Sequence, residues 1–208
     1  MLRFAYKSFL KDNGDGNAFV SELAHTSPDL IVPFLWVSPL DSTHMANLEV
    51  NLVQRSARGI KLHQAWDAFT FDCPQFKTIA EHACLLHLPI FVHIYSRVQA
   101  RKLLFFLLGN PDLVLIAGHL AGVSIFREYR KSLPNLYFDT SGSERIQGKH
   151  ILEAINLFGS DHVLFGSDTP YAEIDVEIAK IDRLHLPDDV KESVFRKNAL
   201  RILSRADS

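Results

Sequence analysis

The sequence predicts an α/β fold built on a parallel sheet, and three observations predict it. Six short runs rich in aliphatic and β-branched residues occur at 31–37, 59–63, 90–93, 114–117, 136–139 and 163–166. They are continuously apolar rather than alternating, the pattern of strands covered on both faces. Their starts, at 31, 59, 90, 114, 136 and 163, lie 28, 31, 24, 22 and 27 residues apart, the length of a βα unit.

The elements follow in order. Residues 2–10 set Leu2, Phe4 and Tyr6 against Arg3, Ala5 and Lys7, which suits either a strand or a turn of helix. Residues 11–17, KDNGDGN, read as a polar turn. Counted from Asp12 the third and fifth positions are glycine, which excludes an EF-hand loop. Asn17 is placed to cap a helix at 18–25. Asp41 and Ser42 supply a cap for a helix at 43–56. Pro74 suits the first turn of a helix at 75–87. Ser96 precedes a helix at 97–108, which Gly109-Asn110-Pro111 stops. Helices at 123–133, 144–158, 173–184 and 188–203 complete the set.

No linker or low-complexity run divides the chain, so residues 1–208 read as one domain. Two architectures suit six βα units: an incomplete eight-stranded barrel or an open doubly wound sheet. No glycine-rich phosphate loop follows any run, which weakens a nucleotide-binding version of the open sheet. With six strands, the runs at 31–37 and 163–166 are bare edges carrying large apolar side chains. Such edges are normally paired or capped, and the expectation is either self-association into a homo-oligomer that covers them or a poorly soluble, marginally stable chain.

Composition bounds the partners. A net charge of −2 gives no electrostatic reason to expect nucleic acid or an anionic membrane. No apolar run reaches membrane-spanning length, and no signal-peptide pattern opens the chain, so the cytoplasm is the expected compartment. Two cysteines, Cys73 and Cys84, build neither a disulfide framework nor a CxxC site, and Cys84 reads as core packing. A small-molecule substrate is the partner expected.

Chemistry-bearing residues gather where strands end. His93 closes PIFVHI, His119 follows VLIA within AGHLAG, and Asp168 sits in FGSDTPY. Singly, each has a plain explanation: a backbone-bonded histidine, a turn histidine and a helix cap. Together they converge, because strand C-termini of a parallel sheet share one face. Two imidazoles and a carboxylate there could hold a divalent ion with an open position. Lys61 and His63, two apart in GIKLHQAW, face the same way and could serve one pocket; a buried ion pair is the equal alternative. Asp139-Thr140-Ser141 reads as a helix cap. Trp66, Phe69 and Phe71 wall a pocket or merely pack a loop. No G-x-S-x-G elbow occurs, and no His-x-His.

The segments FLWVSPLD, GIKLHQAWDAF, PIFVHI, IAGHLAG, NLYFDTSG and VLFGSDTPY, in this order and spacing, resemble the amidohydrolase-related family of metal-dependent hydrolases, in the branch that also holds decarboxylases. The likeness runs from about Asn17 to Leu203. It implies a (β/α)₈ barrel of the TIM type using a divalent metal, most often Zn²⁺. It implies that His93 is a metal ligand and that His119 orients water or substrate at the metal. It implies that Asp168 is both ligand and proton acceptor, and Lys61 matches a lysine frequent at the end of the family's fourth strand; Lys61 and His63 are the residues expected to face the substrate. The family's first strand carries a His-x-His that is missing here, so the resemblance implies an incomplete barrel, short at its N-terminal side. The function expected is hydrolysis of a small ester, lactone or amide by metal-activated water. The alternatives are decarboxylation of an unsaturated or aromatic acid, or an inactive barrel acting as a binding module.

Overall fold

The computed structural model describes residues 2–4, 16–94 and 96–204. Seven strands form one sheet: β1 (Leu2–Phe4), β2 (Val32–Trp36), β3 (Gly59–His63), β4 (Ile90–His93), β5 (Leu115–Ala117), β6 (Leu136–Asp139) and β7 (Val163–Leu164). Their spatial order is their chain order, and every neighbouring pair is parallel. This is the α/β TIM-barrel type, present as an incomplete barrel. Among the described residues no pairing joins β1 to β7.

The helices are α1 (Gly16–Thr26), α2 (Ser42–Ala46), α3 (Leu48–Gln54), α4 (Pro74–Leu85), α5 (Arg97–Leu108), α6 (Val123–Phe126), α7 (Gly148–Phe158), α8 (Ile174–Asp182), α9 (Asp188–Glu192) and α10 (Asn198–Leu203). Asp41 caps α2 as expected, accepting from the N–H groups of Thr43 and His44. The helix expected at 43–56 is broken at Asn47 into α2 and α3. The one expected at 123–133 keeps four α-helical residues and continues as a 3₁₀ turn, Arg127–Ser132. The final helix is interrupted by a π-helical turn at Ser193–Lys197. Cys84 is exposed on α4 rather than packed in the core.

Period-two alternation sorts the strands' side chains onto two faces. The outward set, including Leu35, Ile60, Leu62, Ile90, Val92, Leu115, Phe138 and Val163, packs against the helices in one continuous core. The inward set, Phe34, Phe91, Ile116, Tyr137 and Leu164, forms a second cluster closed by Ile202 from α10. In both clusters the sheet residues lie almost wholly out of solvent. The apolar runs in the sequence are therefore what a sheet buried on both faces demands.

The bare edges expected from six strands are largely filled from within the chain. β1, from the segment whose pattern was ambiguous, pairs Leu2, Arg3 and Phe4 with Val32, Pro33 and Phe34. Beyond it, Asn17 continues the edge like a strand residue. Its side-chain amide donates to the Trp36 carbonyl at 2.8 Å and accepts from the Trp36 N–H at 2.7 Å. Asn17 thus lies inside α1 and bridges to β2, rather than capping a helix. Residues 11–15 of the polar turn fall outside the described residues, and Gly16 opens α1. At the other edge, Asn198 donates to the carbonyls of Ser160 and Val163 at 2.7 and 2.8 Å. The Phe165 N–H donates to the Val194 carbonyl at 2.8 Å, within the π-helical turn. Side chains and a helix carbonyl thus stand beside Trp36 and Val163–Phe165 where a neighbouring strand would pair, and among the described residues β1 becomes the outer strand of the sheet.

Asn198 is the residue to test. Asn198→Leu keeps the volume but strands two carbonyls, each costing about 1–3 kcal/mol when buried without a partner. Urea unfolding should show a loss of about 2–4 kcal/mol, with faster amide exchange at Phe165. An unchanged midpoint would mean that water replaces the amide at no cost.

Candidate active site

The C-terminal rim of the sheet collects His63 from β3, His93 from β4, His119 just after β5, Asp139 from β6 and Asp168 just after β7. Parallel register places them there: Lys61 pairs with Phe91, and His63 with His93.

Four rings form a continuous stack beside this rim. Trp66 lies on His63 at 4.2 Å between centroids, and His63 lies on His93 at 4.1 Å, with interplanar angles of 12° and 10°. Trp36 lies parallel to Trp66 and His63 at 5.6 and 5.8 Å. The Trp66 N–H donates to His63 Nδ1 at 3.2 Å, so His63 carries its proton on Nε2. The Trp36 indole donates to Asp67 Oδ2 at 3.0 Å, and Ser38 Oγ donates to Asp67 Oδ1 at 2.6 Å. These bonds fix the loop after β3. Within that loop Phe69 and Phe71 are buried and pack with Phe76, while Trp66 alone of the three aromatic candidates reaches the histidines.

His93 and His119 touch: Nδ1 of the former and Nε2 of the latter are 3.0 Å apart. The far nitrogen of His119, Nδ1, meets Ser141 Oγ at 2.9 Å. Its backbone N–H donates to the Asp139 carboxylate in a short bond. His119 adopts a left-handed backbone with φ 58°, as does Asp168 with φ 54°. Non-glycine residues enter that region at a cost of about 1–2 kcal/mol. At His119 the Asp139 bond offsets it. The other Asp139 oxygen, Oδ2, lies where a Cβ on Gly166 would stand, 1.7 Å away, so only glycine fits there. Asp139 and Ser141 are thus site residues that the helix-cap reading missed, and α7, the next helix, is capped at Gln147 instead. Asp168 is no helix cap either, since α8 begins after Glu173.

Burial controls the charges. Lys61 is buried, with its ammonium 4.1 Å from the Phe91 ring centroid. Desolvation pulls its pKa down to about 8, against the opposing pull of Asp139 and Asp168. Desolvation, helped by Lys61, lowers His63 to about 4. Desolvation, helped by His63 and His119, lowers His93 to about 3. The Asp168 carboxyl is raised chiefly by burial and also by Asp139, with His119 and Lys61 pulling the other way. The rim therefore sets two desolvated imidazoles, His63 and His93, beside a carboxyl whose pKa is raised.

Two nitrogen donors sharing one ion at about 2.1 Å stand roughly 3.0–3.4 Å apart for angles from square to tetrahedral. The 3.0 Å His93–His119 separation fits two positions on such an ion. The expected third ligand is not assembled: among the described residues no three His, Cys, Asp or Glu side chains group closely enough to hold a metal. The same 3.0 Å is a hydrogen-bond length, so His93 and His119 are close enough to act as a pair, and no third side chain of the described residues joins them in a metal-holding group.

A sequence profile described as amidohydrolase matches residues 9–205, and the chain belongs to the amidohydrolase family. An uncharacterised TIM-barrel protein of Bordetella bronchiseptica superposes with a TM-score of 0.84 at 18% identity, over 100% of this chain and 78% of that one. The 2,6-dihydroxybenzoate decarboxylase of Rhizobium gives 0.73 at 17%, over 90% and 75%. A dihydroxybenzoic acid decarboxylase of a Polaromonas species, with bound manganese and the inhibitor 2-nitroresorcinol, gives 0.73 at 18%, over 90% and 73%. No curated protein matches. No described helix is long and apolar enough to cross a membrane.

The desolvated histidines make stability depend on pH. His63 and His93 stay neutral in the fold down to about pH 4 and about pH 3, but take protons in the unfolded chain below the ordinary value of 6.5. The unfolded state then binds more protons, so their contribution is intact above 6.5 and is lost as pH falls toward 4 and 3. The raised Asp168 carboxyl acts in the opposite sense. The urea midpoint should drop between about pH 7.5 and about pH 5.5, and His63→Asn should shrink the drop. An equal drop in His63→Asn would remove His63 from the account.

Proposed function

We propose that this chain is an enzyme of carboxyl and carbonyl chemistry, and that it decarboxylates a small aromatic or unsaturated acid. The observation that carries the reading is the presence on one rim of a buried cation, Lys61, and an accessible carboxyl, Asp168, whose pKa is raised and whose charge Lys61 feels. Lys61 offers charge to the substrate carboxylate. Trp66, the exposed member of the ring stack, offers a flat wall to a planar body. Asp168 donates its proton to the carbon that bears the carboxylate. The electron pair of the breaking carbon–carbon bond stays on that carbon, carbon dioxide leaves, and water restores the Asp168 proton. The two decarboxylases that share the fold support this reading.

Hydrolysis of a small ester, lactone or amide is the second reading, favoured by the close His93–His119 pair and by the family's name. There an ionised Asp168 takes a proton from the water whose oxygen attacks the carbonyl carbon. In either reading His93 and His119 would hold a divalent ion, zinc or manganese, which supplies electrophilic assistance at an oxygen. The proposed unit is the single barrel domain of residues 1–208, and its proposed partner is a small molecule rather than nucleic acid.

Ion binding comes first. Equilibrium dialysis against Mn²⁺ and Zn²⁺ should show weak, substoichiometric occupancy, abolished by His93→Ala. Occupancy kept in His93→Ala would rule out the pair as ligands.

Turnover separates the two readings. Hydroxybenzoates and unsaturated acids assayed for carbon dioxide release, beside esters and lactones assayed by proton release, should show the former. Asp168→Asn should lower kcat by about 10²–10⁴, and Lys61→Met should mainly raise KM. Proton release from an ester without any carbon dioxide from the acids would replace decarboxylation with hydrolysis. Binding without turnover of either class would make the chain a binding module on a barrel scaffold.

A further inference from the structure

Behind the rim, α8 sends a charged pair into the interior. Glu177 is completely buried, and the Lys180 side chain, one turn on, is nine-tenths buried against it. Their bonds all point at one short segment, the loop after β6. Glu177 Oε1 accepts the Ser143 N–H at 2.7 Å, and Oε2 pairs closely with Lys180. The Lys180 ammonium donates to the Thr140 carbonyl at 2.7 Å. The loop is held at both ends, Thr140 and Ser143, by opposite charges on a single helix.

What lies between those ends bears on His119. Ser141 Oγ meets His119 Nδ1 at 2.9 Å. The next residue, Gly142, has φ +90° and passes so close that a Cβ there would stand 3.2 Å from the same nitrogen. Asp139, just before the loop, accepts the His119 N–H. Thr140 Oγ1 accepts the Gly166 N–H at 3.3 Å, two residues before Asp168. Thr140 and Ser141 are themselves buried. A buried ion pair is a poor source of net stability, since desolvation consumes most of the attraction. Its value lies in direction: two charge-assisted bonds set the loop's position.

We infer that Glu177 and Lys180 are positioning residues for the candidate active site, acting through Thr140–Ser143 to hold His119 in one orientation and one tautomer. The inference rests on the proposed role of His119 for its consequence in turnover, but its geometry stands without it.

The test uses ¹⁵N-histidine-labelled full-length protein and long-range ¹H–¹⁵N correlation spectra, which read imidazole tautomers directly. In the wild type His119 should show one tautomer. Glu177→Gln keeps the shape and the acceptor for Ser143 but removes the charge opposite Lys180. The double variant Glu177→Gln, Lys180→Met removes both buried charges and guards against misfolding of the single one. In both, His119 should shift toward a mixture of tautomers while His82, on α4, keeps its wild-type signals. Glu177→Asp should restore part of the wild-type pattern. If the reaction assay succeeds, kcat should fall about ten- to a hundredfold with KM nearly unchanged, as for groups that orient a reacting ligand. A variant that melts earlier yet leaves the His119 signals as in the wild type would overturn the inference and leave the pair a purely structural one. Failure of the turnover assay with the tautomer change present would count against the proposed reaction, not against the positioning.

Discussion

The constraint on which the rest depends is that all strand pairings are parallel and in chain order. Every crossover then returns the chain to the same starting rim, and every strand delivers its last residue to the opposite one. Alternation does the remainder: residues one step apart face the helices or the interior. His63 and His93 land side by side because Lys61 and Phe91 do, two residues earlier. Helices wrap the outward face, which is why the catalytic candidates are reached only from the strand ends.

The apolar runs were readable because a sheet covered on both faces leaves no position for a polar residue except at the rim. His93, Lys61 and His63 stood out for that reason. The same logic failed at the margins. Leu2–Phe4 alternates too briefly to separate strand from helix, and it became a strand because β2 offered an unpaired edge. Asn17 and Asn198 were invisible as edge fillers, since an amide that mimics a backbone group has no local signature. Their partners lie 19 and 35 residues away.

Asp139 and Ser141 show a different limit. A short polar side chain after a strand usually caps a helix, and nothing nearby tells otherwise. Their partner is His119, some twenty residues back, in a left-handed conformation that local sequence does not announce for histidine. Gly166 was a faint signal, because a glycine beside a strand end can mark the close approach of another group. Glu177 and Lys180 were hidden more thoroughly: on a helix, an acid followed three residues later by a lysine ordinarily reads as a solvated surface pair. Only the depth of α8 against the loop after β6 makes them interior. The three-ligand metal group expected at the strand ends was an extrapolation from sharing a rim to sharing an ion, and a rim is wider than a coordination sphere.

Trp36 and Trp66 are the chain's two tryptophans, and both belong to the ring stack at the rim. All indole emission from this molecule therefore originates beside the candidate site. With centroids 5.6 Å apart the two indoles exchange excitation readily, so they behave as one chromophore rather than two. Their neighbour His63 quenches an excited indole far better as an imidazolium than as a neutral ring, and burial keeps it neutral. The protein in its native state thus carries an optical probe whose brightness depends on the protonation of one histidine and on whatever planar molecule comes to lie against Trp66.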